Sequence, residues 1–154
     1  MLVAVQTGLR LSELTGMRRD DVVLGAGSAF GLASCEGVVD WCVEHGLGFD
    51  TAFGRVPIVV GMSLFDLGQG DASVRPTAAD GRRAAAGAAA AGDRTPLGPI
   101  GAGAGATVGK WLGADGVRPG GLGAAVVRRG DLAVLAVIAV NAVGDIDENR
   151  AHRP

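Results

Sequence analysis

Glycine occupies every other position at the start of residues 101–110, whose sequence is Gly-Ala-Gly-Ala-Gly-Ala-Thr-Val-Gly-Lys. Residues without a side chain let a backbone come close to another backbone or to a ligand, so this segment is expected to be tightly surrounded. It ends at Lys110, and Asn141 follows an apolar stretch further along the chain. These two polar residues therefore stand out as candidate site residues in otherwise apolar sequence.

Composition predicts one globular domain and limits its partners. The chain has 154 residues, of which 48% are hydrophobic and 19% charged. A net charge of -2 provides no attraction to nucleic acid or to an anionic membrane, so neither is expected as a partner. No signal peptide is evident, and the longest apolar run, residues 132–140, is too short to span a bilayer.

Cys35 and Cys42 would lie about 10 Å apart along one predicted helix, too far for a disulfide. Two thiols of this kind predict a cytoplasmic protein.

Two helices are predicted from apolar spacing and capping residues. The first begins with Ser28 as its N-cap and ends at Gly46, and five apolar residues at three- and four-residue spacing predict its buried face. These residues are Leu32, Cys35, Val39, Cys42 and Val43. The second covers residues 77–91, where Thr77 and Asp80 are spaced as in a capping box and an alanine run favours helix.

Buried strands are expected between and after these helices. Residues 22–24, 56–60 and 121–127 have the apolar, β-branched composition of short strands. Residues 131–140 are apolar almost throughout, which predicts a strand buried on both faces. Helices packed on buried strands define a layered α/β or α+β domain.

The glycine-rich segment does not match the common nucleotide-binding patterns. A Walker-type loop requires glycine five residues before Gly109 and Ser or Thr after Lys110, and Ala104 and Trp111 occupy those positions. The dinucleotide pattern fails as well, at its third glycine. No cofactor and no metal is therefore expected.

Six stretches of the chain, which occur in the same order as in the family, resemble the DmpA-type aminopeptidases. This family includes β-peptidyl aminopeptidases, D-esterases and nylon-oligomer hydrolases. The matching stretches are residues 27–33 (GSAFGLA) with 37–38, 56–59 (VPIV), 64–67 (LFDL) with 70–71 and 75–76, 101–110, 120–123 (GGLG) and 139–145 (AVNAVGD). The resemblance implies a self-cleaving N-terminal-nucleophile hydrolase with a four-layer αββα-type sandwich, of which residues 27–146 would be part. Its substrates would be the amino-terminal residues of peptides, amides or esters.

The resemblance also implies roles for the two polar residues. Asn141 would help to hold the oxyanion of the reaction, and Lys110 would support the site. On the residues alone, simpler roles stay open, because Asn141 could cap a strand end and Lys110 could extend to solvent.

The chain departs from the family where the reaction needs its nucleophile. In the family the attacking Ser or Thr lies downstream of the asparagine strand, and here no Ser or Thr follows Thr107. The chain is therefore predicted to be an α-chain portion, inactive without the β-chain that carries the nucleophile. The alternative is a non-catalytic binding or assembly remnant that keeps the family's oligomer surfaces, so both a homo-oligomer and a missing β-chain are candidate partners.

Residues 1–26 have a second resemblance. Residues 7–14 (TGLRLSEL) and 18–22 (RRDDV) are similar to the tyrosine recombinase segment that carries the first catalytic arginine, here Arg10, and they also predict a short amphipathic helix. Recombinases form a phosphotyrosine link, and this chain contains no tyrosine, which excludes their activity. A DNA-binding recombinase fragment is thus a further, less favoured alternative. The predicted organisation is a recombinase-like segment to residue 26, a hydrolase domain over 27–146, and a polar tail over 147–154.

Overall fold

The computed structural model describes residues 2–4, 22–25, 27–91 and 96–146. Its strands form small, mostly antiparallel sheets beside two α-helices, which makes the domain α+β. Arg10, the predicted N-terminal helix and the polar tail lie outside the described residues. The elements are β1 (Leu2–Ala4), β2 (Val22–Gly25), α1 (Ser34–Glu44), β3 (Phe49–Thr51), β4 (Gly54–Val56), β5 (Val60–Ser63), α2 (Ala78–Ala91), β6 (Thr107–Val108), β7 (Arg118–Pro119), β8 (Leu122–Arg129) and β9 (Leu132–Ala139).

The strands of the described residues form four separate sheets. β2 lies between β1 and β5, antiparallel to the first and parallel to the second. β3 pairs with β4, and β6 with β7, in short antiparallel ladders. β8 and β9 form a hairpin whose register runs from Leu122 opposite Ala139 to Arg129 opposite Leu132. The predicted strand at 22–24 is confirmed by β2, and those at 121–127 and 131–140 by β8 and β9.

Helices α1 and α2 pack with their backbones in close contact. A Cβ added at Gly37 would lie 1.7 Å from the Ala78 carbonyl oxygen, and one added at Gly81 would lie 1.9 Å from that of Ser34. The two glycines therefore set the distance between the helices. A buried apolar cluster lies at this contact and contains Val38, Trp41, Cys42 and Ala85.

The prediction for the first helix was wrong in its start and right in only part of its face, because Cys42 is buried as predicted and Cys35 packs against the same cluster. Residues Ser28–Ala33 form a 3-10 turn, with Ser28 at a φ of 58°, and α1 begins at Ser34. Leu32 and Val43 are exposed, whereas Val38 and Trp41 are buried. The helix turns Val38 and Trp41 inward because the backbone at Ser34 and Gly37 contacts the backbone of α2. No apolar pattern would select these two contact residues.

The second helix is confirmed together with its cap. The Thr77 N–H donates to Asp80 Oδ2 over 2.8 Å, and the Asp80 N–H donates to Thr77 Oγ1 over 3.4 Å. The predicted strand at 56–60 is wrong: β4 ends at Val56 and β5 begins at Val60. Pro57 falls in this gap, where it has no N–H to contribute to a ladder.

The hairpin of β8 and β9 is much less buried than its composition predicts. Only its base is covered, where Leu122 and Ala102 form a second buried cluster with Val137 and Ala139 packed against it. Further along β9, Leu132, Val134 and Ile138 are more than half exposed, at 62%, 56% and 58%. The expected burial on both faces is therefore wrong within the described part of the chain. Neither described helix is long and apolar enough to cross a membrane.

Candidate active site

Lys110 and Asn141 lie side by side, with Lys110 Nζ 2.8 Å from Asn141 Oδ1. Lys110 opens a 3-10 turn just after β6, and Asn141 follows the end of β9. Backbone hydrogen bonds join the two segments, from the Gly109 N–H to the Gly144 carbonyl at 2.7 Å and from the Trp111 N–H to the Val143 carbonyl at 3.1 Å. The glycine-rich segment and the end of the hairpin are thus fixed to each other, and they bring the two side chains together.

The ammonium of Lys110 has an acceptor for each of its three protons. Besides Asn141 Oδ1, Nζ donates to the Thr107 carbonyl at 2.6 Å and to the Ala142 carbonyl at 3.1 Å. A lysine with three acceptors is a fixed donor and not a mobile surface charge. The simple explanation that Lys110 extends to solvent is not the arrangement found here.

The amide of Asn141 is held by both of its polar atoms. Its Oδ1 accepts from Lys110 and from the Thr107 N–H at 3.1 Å, and its Nδ2 donates to the Phe65 carbonyl at 2.8 Å. The opposite orientation would place the NH₂ group against two donors, so these contacts fix which way the amide points. Nδ2 carries two protons and uses one for Phe65, which leaves the second N–H for another acceptor.

Close backbone approaches surround this pair, as the glycine spacing predicts. A Cβ at Gly103 would lie 2.5 Å from the Gly98 carbonyl oxygen, and one at Gly105 would lie 2.2 Å from Asp66 Oδ2. Gly109 has a φ of 75°, and a Cβ there would meet the Gly116 carbonyl at 2.3 Å. The prediction of tight surroundings is confirmed, and larger residues would displace the segment that carries Lys110.

Three residues of the site were not selected from the sequence. Thr107 is buried, and its hydroxyl has no hydrogen-bond partner among the described residues. Phe65 contributes its backbone carbonyl, and the neighbouring Asp66 accepts from the Gly27 N–H at 2.5 Å. Phe65 and Asp66 lie in the family-like stretch 64–67, which could have pointed to them. The sequence could not show that the backbone carbonyl of Phe65 would be the group that is used.

A cleft of about 510 Å³ lies next to this cluster. Asp66 contributes to its wall, whereas Lys110 and Asn141 do not. The Arg75 guanidinium, also on the wall, lies 3.6 Å from the centre of the Phe30 ring. A hydrogen bond from the Thr77 hydroxyl lowers the pKa of Asp80, another wall residue, so this carboxyl is charged at neutral pH. The walls of the cleft therefore carry charges of both signs, and Asp66 is the site residue that they include.

A side-chain amide held rigid at a strand end is a suitable donor for a developing oxyanion, which is the electrostatic requirement of an amide or ester hydrolase. The sequence profile of peptidase family S58 matches residues 4–150. The chain belongs to this family, which is the DmpA and nylon hydrolase family that its motifs resemble.

The names of two similar proteins agree with membership of this family. A protein named as an uncharacterised aminopeptidase from Mycobacterium leprae is 42% identical over 141 residues, which cover 88% of this chain and 37% of the relative. A 6-aminohexanoate-oligomer endohydrolase from Paenarthrobacter ureafaciens is 36% identical over 127 residues, covering 81% of this chain and 34% of the relative. The chain thus spans about a third of the length of these curated relatives.

A short second similarity concerns another class of protein. A protein named as an integrase or recombinase from Sinorhizobium fredii is 68% identical over 28 residues, or 18% of this chain and 8% of that protein. The family profile nevertheless begins at residue 4. The boundary at residue 26 therefore stays a prediction.

Proposed function

We propose that this chain is the part of an S58 amide hydrolase that holds the oxyanion, with Asn141 as the donor and Lys110 as the residue that positions it. The observation that carries this proposal is the contact of 2.8 Å between Lys110 Nζ and Asn141 Oδ1. The lysine occupies the amide oxygen and thereby directs the NH₂ group away from itself. One N–H is then available to the oxygen of a reacting carbonyl.

The value of this arrangement lies in its rigidity. A donor already aimed at the position of a developing negative charge needs no reorganisation during the reaction, and one such donor is worth roughly 3 kcal/mol in hydrolases. Asn141 is held by Lys110, by the Thr107 N–H and by the Phe65 carbonyl. Three contacts on one short side chain support a positioned donor better than they support a simple cap at the end of a strand.

The substrate class follows from the names of the relatives. One is named as an aminopeptidase, and another as a 6-aminohexanoate-oligomer endohydrolase. The first name agrees with the substrate class that the family resemblance implies, and we expect peptides, amides or esters cleaved at their amino-terminal residues. The fold we expect for the complete enzyme is the four-layer sandwich, to which α1, α2 and the described strands would contribute.

The 154 residues are expected to have no hydrolase activity by themselves. No Ser, Thr or Tyr follows Thr107 in the sequence, and the Thr107 hydroxyl is buried with no hydrogen-bond partner among the described residues. A nucleophile needs such a partner to be activated. Nearly two thirds of the Mycobacterium leprae relative lies outside the match, and we expect the attacking residue in that part. Because Cys35 and Cys42 form no disulfide, we also expect a cytoplasmic location.

The test is reconstitution of turnover on aminoacyl p-nitroanilides. The chain alone is expected to give no rate above background, and addition of the part of the Mycobacterium leprae relative outside the match is expected to give turnover. Turnover by the chain alone would refute the predicted inactivity.

A single substitution then tests the role of Asn141 in the reconstituted enzyme. Asn141→Asp keeps an oxygen for Lys110 but removes the N–H, so kcat is expected to fall about 100-fold or more. Asn149→Asp, at the only other asparagine, is the matched control. An Asn141→Asp enzyme with the rate of this control would contradict the assignment.

A further inference from the structure

Residues 141–145 form a short arc, the asparagine arc, which begins with Asn141 and runs beside the segment that carries the lysine. The start of the arc is joined to the base of the hairpin, where the Val140 N–H donates to the Gly121 carbonyl over 2.9 Å. Its middle accepts the two backbone hydrogen bonds from residues 109 and 111 that were described for the site. The position of Asn141 therefore also depends on how the far end of the arc is held.

An ion pair holds that far end. The Arg118 guanidinium donates from Nη2 to Asp145 Oδ2, and Asp145 Oδ1 accepts from the Ile146 N–H over 2.7 Å. Both carboxylate oxygens are therefore in use, and the Asp145 side chain is only 23% exposed. The hydrogen bond from Arg118 lowers the pKa of Asp145, so this carboxylate carries its charge at neutral pH.

Arg118 is itself fixed to the segment that carries the lysine. It lies on β7 opposite Val108 of β6, and Gly109 and Lys110 follow Val108 directly in the chain. A Cβ at Gly109 would lie 3.9 Å from Asp145 Oδ2, so the carboxylate reaches the start of the turn that holds Lys110. The ion pair thus joins the end of the asparagine arc to the same short ladder from which Lys110 extends.

We propose that Arg118 and Asp145 are positioning residues, which keep the Asn141 amide against the Lys110 ammonium. Fixing the second end of a short arc removes conformations in which the arc turns away from the lysine segment. The pair acts on the reaction only through the arc, and so through Asn141. The inference rests on the proposed function for its catalytic meaning, but the contact that it concerns can be measured without turnover.

The test is the rate at which sulfosuccinimidyl acetate acylates Lys110 in the complete chain, followed by peptide mass spectrometry. Nζ donates to three acceptors and reacts when it is released from them, and the N-terminal amine of the same chain is the internal reference. Asp145→Asn removes the charge of the pair and keeps an oxygen for the Ile146 N–H. Because partly exposed ion pairs contribute modestly, labelling is expected to become about two- to fivefold faster.

Arg118→Gln separates positioning from a direct effect of charge, and the Arg118 side chain is 57% exposed, so this variant is expected to fold. Loss of a carboxylate and loss of a guanidinium change the reactivity of a nearby amine in opposite directions, whereas loss of positioning speeds labelling in both variants. The double variant has no pair left to break, so its rate should equal that of either single variant. Opposite changes, effects that multiply in the double variant, or unchanged rates would overturn the proposal.

Asp50→Asn is the matched control. Asp50 forms an ion pair with Arg55 between β3 and β4, and the substitution there removes the same charge from a different sheet. It is expected to leave the labelling rate unchanged, and an acceleration as large as in Asp145→Asn would contradict the proposal. If the pair passes these tests while Asn141→Asp keeps its kcat in the reconstituted enzyme, the positioning role stands and the proposed function falls. Unchanged labelling together with a lowered kcat in Asn141→Asp would give the reverse result.

Discussion

Replacing Gly81 by alanine should separate the two helices of the domain. The added Cβ would lie 1.9 Å from the Ser34 carbonyl oxygen and 2.7 Å from its carbonyl carbon. Backbone atoms cannot rotate away as a side chain can, so α1 and α2 would have to move apart by about 1 Å to reach an acceptable contact. This movement would loosen the packing of Val38 and Ala85 in the buried cluster between the helices.

The expected magnitude is the difference of two opposing terms. Alanine in place of glycine within a helix stabilises by about 0.5–1 kcal/mol. Overpacking of a tight contact costs about 1–3 kcal/mol and sometimes more. With a 1.9 Å approach to rigid backbone, the cost should lie at the upper end, so we expect Gly81→Ala to lower the free energy of unfolding by about 2 kcal/mol.

Gly87 provides the control on the same helix. A Cβ there meets nothing within 4 Å, so Gly87→Ala should raise the free energy of unfolding by about 0.5–1 kcal/mol. Urea unfolding of both variants, followed by circular dichroism, measures the difference. If Gly81→Ala were as stable as Gly87→Ala, the backbone contact between the helices would be refuted.

Two further predictions concern the core and the response to acid. Leu122 is 3% exposed at the base of the hairpin, so Leu122→Ala should cost about 2–5 kcal/mol in urea unfolding, and a cost under 1 kcal/mol would contradict its place in the core. The hydrogen bond from Thr77 lowers the pKa of Asp80, so this carboxylate stabilises the fold fully above its unfolded pKa, near 4, and the stabilisation is lost as pH falls through the folded value. Asp80→Asn should therefore lose less stability than the unmodified chain between about pH 5 and pH 2, and identical pH profiles would contradict the cap.

Local signals in the sequence accounted for the elements whose causes are local. The capping box of Thr77 and Asp80 and the alanine run predict α2, and the β-branched composition predicts β9. Leu32 and Val43 were wrongly assigned to the buried face of the first helix because that face is set by Gly37, which contacts residues on α2 about forty positions away. Apolar spacing cannot identify a glycine as a packing residue.

The candidate site was predictable in its residues but not in its contacts. Lys110 and Asn141 were selected through glycine spacing and family resemblance, and their proximity came with the fold. The Phe65 carbonyl was not predictable, since any residue provides one. The exposure of β9 was missed for a different reason. An apolar strand indicates that other residues cover it, but it does not show whether those residues belong to this chain.

The most direct test of the account uses the fact that Lys110 is the only lysine in the chain. Protein labelled with ¹⁵N-lysine should give a single side-chain ammonium signal in NMR spectra. If Lys110 holds Asn141 by its amide oxygen, this signal should persist near neutral pH because its protons exchange slowly. It should then shift or disappear in Asn141→Ala but not in Asn149→Ala. An ammonium signal lost to rapid exchange in the unmodified chain, or one that Asn141→Ala leaves unchanged, would contradict the account.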